Sequence, residues 1–143
     1  MISFLTENIE MPIMDRKEVK DWITVVAATY DGRRVGDLNY IFCNDDRILE
    51  VNKEFLGHDY YTDIITFDYS EPGMVSGDMY ISLDTVQSNS RKFRTSYDRE
   101  LMRVIIHGVL HLCGINDKER GERAVMEAAE ERALDMWYNK TIR

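Results

Sequence analysis

The chain has 143 residues, 44% of them hydrophobic and 31% charged, the size and balance of one globular domain with a real core. Against 26 Asp and Glu stand 18 Lys and Arg, a formal net charge of -8. That balance excludes a broadly basic nucleic-acid coat and a polybasic membrane surface, though not a local basic groove. The start, MISFLTENIE, has neither a basic end nor a long apolar run, so it is not read as a secretory signal. No stretch approaches the ~20 apolar residues that span a bilayer, and a cytoplasmic protein without membrane partners is expected. Cys43 and Cys113 form no C-x-x-C pair and read as reduced, packed thiols.

Taken in chain order, residues 2 to 5 suit a short strand. Asp15 then caps a helix that carries Val19, Trp22, Ile23, Val26, Ala27 and Tyr30 at helical spacing, and Gly32 stops it. Residues 35 to 43 alternate Leu38, Tyr40 and Phe42 on one side, a strand pattern. Asn44 or Asp45 caps a short helix with Ile48, Val51 and Phe55, ended by Gly57. The β-branched, aromatic run 63 to 69 is a strand. EPGMVSG follows as a loop, and 77 to 82 is another strand. A helix covers about 84 to 94. Thr95 or Ser96 caps the next, whose first turn holds Asp98 and Glu100, and Gly114 ends it. A last amphipathic helix spans about 119 to 138. Strands come early and helices late, with helical crossovers between. The expected fold is a single α+β domain over 1–143, with a small mixed sheet of about four strands and about five helices.

The chain has only three histidines, His58, His107 and His111. His107 and His111 are four apart on one helix, so both imidazoles lie on one face and can reach one metal ion. They flank the apolar stripe of Leu101, Val104, Ile105, Gly108 and Leu112. Gly114 can take the left-handed turn that brings Asp117 back toward them. Two His and one carboxylate leave a position open for water, as in catalytic zinc sites. An i, i+4 His pair alone is as often a surface pair. The added Gly and Asp make the pattern His-x-x-x-His-x-x-Gly-x-x-Asp more specific. Helical zinc proteases carry Glu after the first His as general base. Here that residue is Gly108, so peptide hydrolysis by that route lacks its base. Gly108 reads instead as room for another element or a substrate. Cys113 points away from the His face and reads as core. Glu100, two turns before His107, reads as a first-turn charge or a partner of a ligand.

HGVLHLCG at 107 to 114 resembles the helix motif of the YbeY family of bacterial endoribonucleases, written H-G-x-L-H-L-x-G-x-D-H. VNKEFLGHDYYTDIITFDYS at 51 to 70 is similar to the family's block ending in T-D-V-L-S-F, and GDMYIS at 77 to 82 to its G-D-I-x-I-S strand. The resemblance covers about residues 35 to 135. It implies a single-strand-directed endoribonuclease with one zinc ion per chain, acting in ribosomal RNA maturation and ribosome quality control. Ribosomal RNA or ribosomal particles, and ribosome-associated proteins, are the implied partners. His107 and His111 match the first two metal ligands. Asp117 stands where the third ligand is usually His, and Asn116 where the family has Asp. A carboxylate is an acceptable zinc ligand, but its negative charge makes a bound water less acidic than in an all-His site. Leu56 stands where many members have an Arg thought to meet phosphate. His58, two residues on, is a candidate to replace it, or an ordinary loop histidine. Thr62 and Asp63 match the family block as catalytic candidates, or simply start the strand. Arg91, Lys92, Arg94, Arg99 and Lys118 are candidates for a local phosphate-binding surface; Arg91, Arg94 and Lys118 are the nucleic-acid-binding choices. The alternative is a ribosome-assembly binding factor whose metal is mainly structural; a third is a hydrolase of some small substrate.

Overall fold

The computed structural model describes residues 1–139. Its elements are β1 (Ile2–Thr6), α1 (Arg16–Ala28), β2 (Arg34–Cys43), α2 (Asp45–Val51), β3 (Ile64–Asp68), β4 (Met74–Ser82), α3 (Leu83–Lys92), α4 (Tyr97–Leu112) and α5 (Glu122–Asn139). The four strands form one mixed sheet in the order β1-β2-β4-β3. β1 pairs parallel with β2, and β2 parallel with β4; β3 returns antiparallel on β4. The helices between parallel strands are the crossovers such pairing requires. The α+β expectation holds. Among the described residues no helix is long and apolar enough to cross a membrane.

Strand alternation sorts side chains into two cores. Leu38, Tyr40 and Phe42 of β2, with Met79 and Ile81 of β4, join Trp22, Leu101, Ile105 and Leu134 in the main core. Cys43 goes to a smaller cluster with Ile48, Val51 and Ile65, on which Phe67 and Tyr80 pack. Two buried polar bonds lock helices to this frame. The Tyr40 hydroxyl donates to the Ile105 carbonyl at 2.8 Å, fixing α4 on β2. The Trp22 indole donates to the Ala133 carbonyl at 2.8 Å, fixing α5 on α1.

Three local expectations are corrected. EPGMVSG is not all loop: residues 71 to 73 turn, and β4 already starts at Met74, since Glu71 and Met74 exchange backbone bonds at 3.0 and 2.9 Å. The short helix after Asn44 does not continue regularly to Gly57. It changes at Asn52 to one π-helical turn, Asn52–Leu56, closed by left-handed Gly57 (φ 68°). Phe55 therefore leaves the core and is 57% exposed. The last helix begins at Glu122, three residues later than expected, after the Gly121 turn (φ 85°).

Candidate active site

α4 carries the site, and its ends explain its placement. Ser96 accepts a hydrogen bond from the Arg99 amide at 3.1 Å, and Asp98 and Glu100 occupy the positive end of the dipole. At the other end Gly114 adopts φ 95°, the Ile115 amide bonds the Leu110 carbonyl at 3.1 Å, and the chain reverses. The stripe Leu101, Val104, Ile105, Gly108 and Leu112 is buried as expected. Gly108 admits another element: a Cβ there would overlap the Met79 Sδ and press on Ile64 Cδ1, so β4 and β3 pass where a side chain would stand. Cys113 is buried in the core, away from the site.

The reversal brings Asp117 to His107, with Asp117 Oδ2 3.4 Å from His107 Nε2. The other ring nitrogen, Nδ1, lies 2.7 Å from Oε2 of Glu130 on α5. A carboxylate can only accept, so Nδ1 carries a proton toward Glu130, and Nε2 is the ring nitrogen that faces Asp117. His111 follows one turn later, half-buried, and among the described residues its ring has no hydrogen-bonding partner. Among the described residues no three His, Cys, Asp or Glu side chains converge as a metal-holding group. Two of the three expected ligands, His107 and Asp117, thus meet, and the third, His111, shares α4 with His107.

His107 and Asp117 face a cleft of about 650 Å³ between α3, α4, α5 and the segment before β3. Thr62 and Asp63 line it, brought there by the Asp63 carbonyl, which accepts from the Ser82 amide at 3.0 Å, and by an Asp63–Arg103 ion pair at 3.2 Å. His58 does not line the cleft. It is exposed, and its Nδ1 and ring engage Tyr60, at 3.0 Å to the hydroxyl and 5.1 Å between stacked rings. The loop around it is pinned by buried Asn52, whose side chain donates to the Tyr60 carbonyl at 2.8 Å. Arg91, Arg94 and Lys118 are exposed and also lie outside the lining; the cleft's own cations are Arg99, Arg103 and Arg123. Six carboxylates line it with these three, an excess of negative charge that favours a cation over a bare phosphate.

Two residues of the site were not singled out from sequence. Glu130 is 5% exposed, on the buried face of α5 with Met126, Ala129, Ala133 and Leu134. A carboxylate inside that apolar spacing was the available signal, because buried carboxylates need partners. Arg103 lies one turn before His107 and pairs with Glu100, Glu130 and Asp63 at 2.7, 3.3 and 3.2 Å. Burial works against its charge, but the Glu100 hydrogen bond and the charges of Glu130, Glu100 and Asp63 outweigh it and raise the guanidinium's pKa. Glu100, 2% exposed, is the partner of this arginine and does not touch the histidines.

Comparison with known proteins agrees with the segments read above. The family model for "Endoribonuclease YbeY" matches residues 1–138. Curated relatives named Endoribonuclease YbeY include one from Phocaeicola vulgatus, 64% identical over 134 residues, covering 94% of this chain and 96% of the relative. Another, from Porphyromonas gingivalis, is 53% identical over 135 residues, covering 94% and 89%. A solution structure of a Thermotoga maritima protein superposes with a TM-score of 0.63 at 27% identity, covering 99% of this chain and 95% of that one. With a whole-chain family match and relatives of this identity, the chain belongs to the endoribonuclease YbeY family.

Proposed function

We propose that this protein is a zinc-dependent endoribonuclease that cuts single-stranded segments of ribosomal RNA in the cytoplasm, in rRNA maturation and ribosome quality control. The observation that carries the reading is the setting of His107. It is held on Nδ1 by a buried carboxylate at 2.7 Å and faces a second carboxylate from Nε2, at the wall of an open cleft. A carboxylate behind an imidazole is the arrangement that orients metal-ligating histidines. Two imidazoles and a carboxylate are zinc-type donors, and His107, His111 and Asp117 would close together on one zinc ion per chain. Such an ion would polarise a phosphoryl oxygen and acidify a bound water.

The chain's own residues do the rest. Glu130 fixes the tautomer and ring orientation of His107. Thr62 and Asp63 line the same cleft, along which an RNA backbone would lie. Arg99 and Arg123 meet exposed partners: Glu131 at 3.0 Å and the ring of Tyr138 for Arg99, and Glu127 at 3.1 Å for Arg123. Exposed pairs are worth about 0–1 kcal/mol, so either arginine can exchange its partner for a phosphate. Arg91, Arg94 and Lys118 would extend that surface beyond the cleft. Ribosomal particles and ribosome-associated proteins would deliver the substrate to a chain of net charge -8.

His111→Ala tests the assignment. Expected are loss of RNA cleavage and a metal-free melting temperature close to wild type. A collapsed melting temperature, with no cleavage by any highly purified preparation, would instead favour a structural metal in a ribosome-binding factor.

A further inference from the structure

Of the three arginines that line the cleft, Arg103 has the most buried side chain, and its geometry rules out a phosphate-binding role. A guanidinium has five N–H donors. Nε and one Nη donate to the two oxygens of Glu100 at 2.9 and 2.7 Å. The same Nη also donates to Asp63 at 3.2 Å, and the other Nη reaches both oxygens of Glu130 at 3.4 and 3.3 Å. Five contacts occupy the five donors, and the side chain is only 25% exposed. Nothing is left to offer a phosphate.

We infer that Arg103 is a positioning residue that joins the Thr62–Asp63 segment to His107 through Glu130. Glu130 Oε2 accepts from both Arg103 and His107. Without the guanidinium, a carboxylate 5% exposed would stand next to Glu100 at 2% exposed with no positive charge between them. Two buried carboxylates so placed repel each other, so Glu130 would turn away and Nδ1 of His107 would lose the acceptor that holds it. Asp63 enters the same fork, so a substrate that pulls on Asp63 pulls on the group that orients His107. The inference rests on the proposed function only in taking His107 as part of the reactive site; the contact network stands apart from it.

Arg103→Lys keeps the charge but loses the fork, and Glu130→Gln keeps the shape but replaces a pure acceptor with an amide that can also donate. Long-range ¹H–¹⁵N NMR on metal-free protein at pH 8 reads the His107 tautomer. Wild type should show Nδ1–H alone, and each variant should admit the Nε2–H form. In the zinc-loaded protein each should lower kcat by about 10- to 100-fold, the range for losing such a partner, with KM changed less than 3-fold. A residue with a merely structural role would lower the melting temperature and leave the tautomer alone. An unchanged tautomer in Glu130→Gln would overturn the inference, and so would Arg103→Lys raising KM and flattening the salt dependence at constant kcat. If the tautomer shifts while even wild type cuts no RNA, the positioning network stands and the proposed activity falls.

Discussion

Gly108→Ala tests the packing that lets the histidine helix lie against the sheet. Two effects oppose each other. Alanine in mid-helix is better than glycine by about 1 kcal/mol. Against this, the new methyl would overlap the Met79 Sδ and crowd Ile64 Cδ1 at 3.1 Å. Met79 is flexible, yet it has no exposed surface and lies within the main core, so it cannot swing aside without displacing neighbours. Overpacking of this kind costs about 1–3 kcal/mol, leaving a net destabilisation of about 1 kcal/mol. For a chain of this length that is a fall in melting temperature of about 4 °C. Thermal denaturation of metal-free protein is the assay, since a ligand bound to the native state would mask the change. Ile64 adjoins Asp63, so cleavage should fall as well. A melting temperature above wild type would refute the reasoning, because helix propensity would then have outweighed an overlap that costs nothing. Gly108→Glu, which recreates the His-Glu-x-x-His of zinc proteases, should disrupt folding rather than produce a peptidase.

Ser96→Ala removes the cap of α4 and should cost about 1 kcal/mol in urea denaturation, while kcat at low temperature stays near wild type. Burial pushes the Cys43 thiol up to about 12, with Glu7 adding and Arg47 opposing, and burial raises Cys113 too. Neither should react with a disulfide reagent at pH 8 in the native state, because the thiolate is the nucleophile. An unfolded thiol titrates near ~8.5, so the Cys43 contribution to stability should be complete below that pH and lost as pH rises toward 12; rapid labelling of the folded protein at pH 8 would contradict this. RNA affinity should fall steeply between 50 and 200 mM salt, as phosphate contacts require; salt-independent binding would exclude an arginine surface.

Much of the fold was legible because one period dominates each segment. Leu38, Tyr40 and Phe42 announce β2, and Val19, Trp22, Ile23 and Val26 announce α1. Phe55 misleads because the helix widens into a π turn at Asn52, whose side chain is buried to hold the next loop, a tertiary demand that helical spacing does not reveal. The His107–Asp117 approach follows from Gly114, a residue whose conformational freedom reads directly as a turn. The rest of the site depends on two helices meeting. Arg103 and Glu130 are 27 residues apart, and only the packing of α5 on α4 makes them partners. Charge counts on each helix show an arginine and a carboxylate, and nothing in either says that the two are buried together. His58 is the converse case: chemistry and position in sequence recommend it, and a loop turned toward Tyr60 takes it out of the cleft.

The most direct test of the account is RNA cleavage by one highly purified preparation as isolated, after chelation, and after zinc is returned, with metal content measured at each stage. The account predicts one zinc per chain as isolated, cleavage lost with the metal and restored with it, and neither metal nor cleavage in Asp117→Ala. Undiminished cleavage by metal-free protein, or full zinc occupancy in Asp117→Ala, would contradict it.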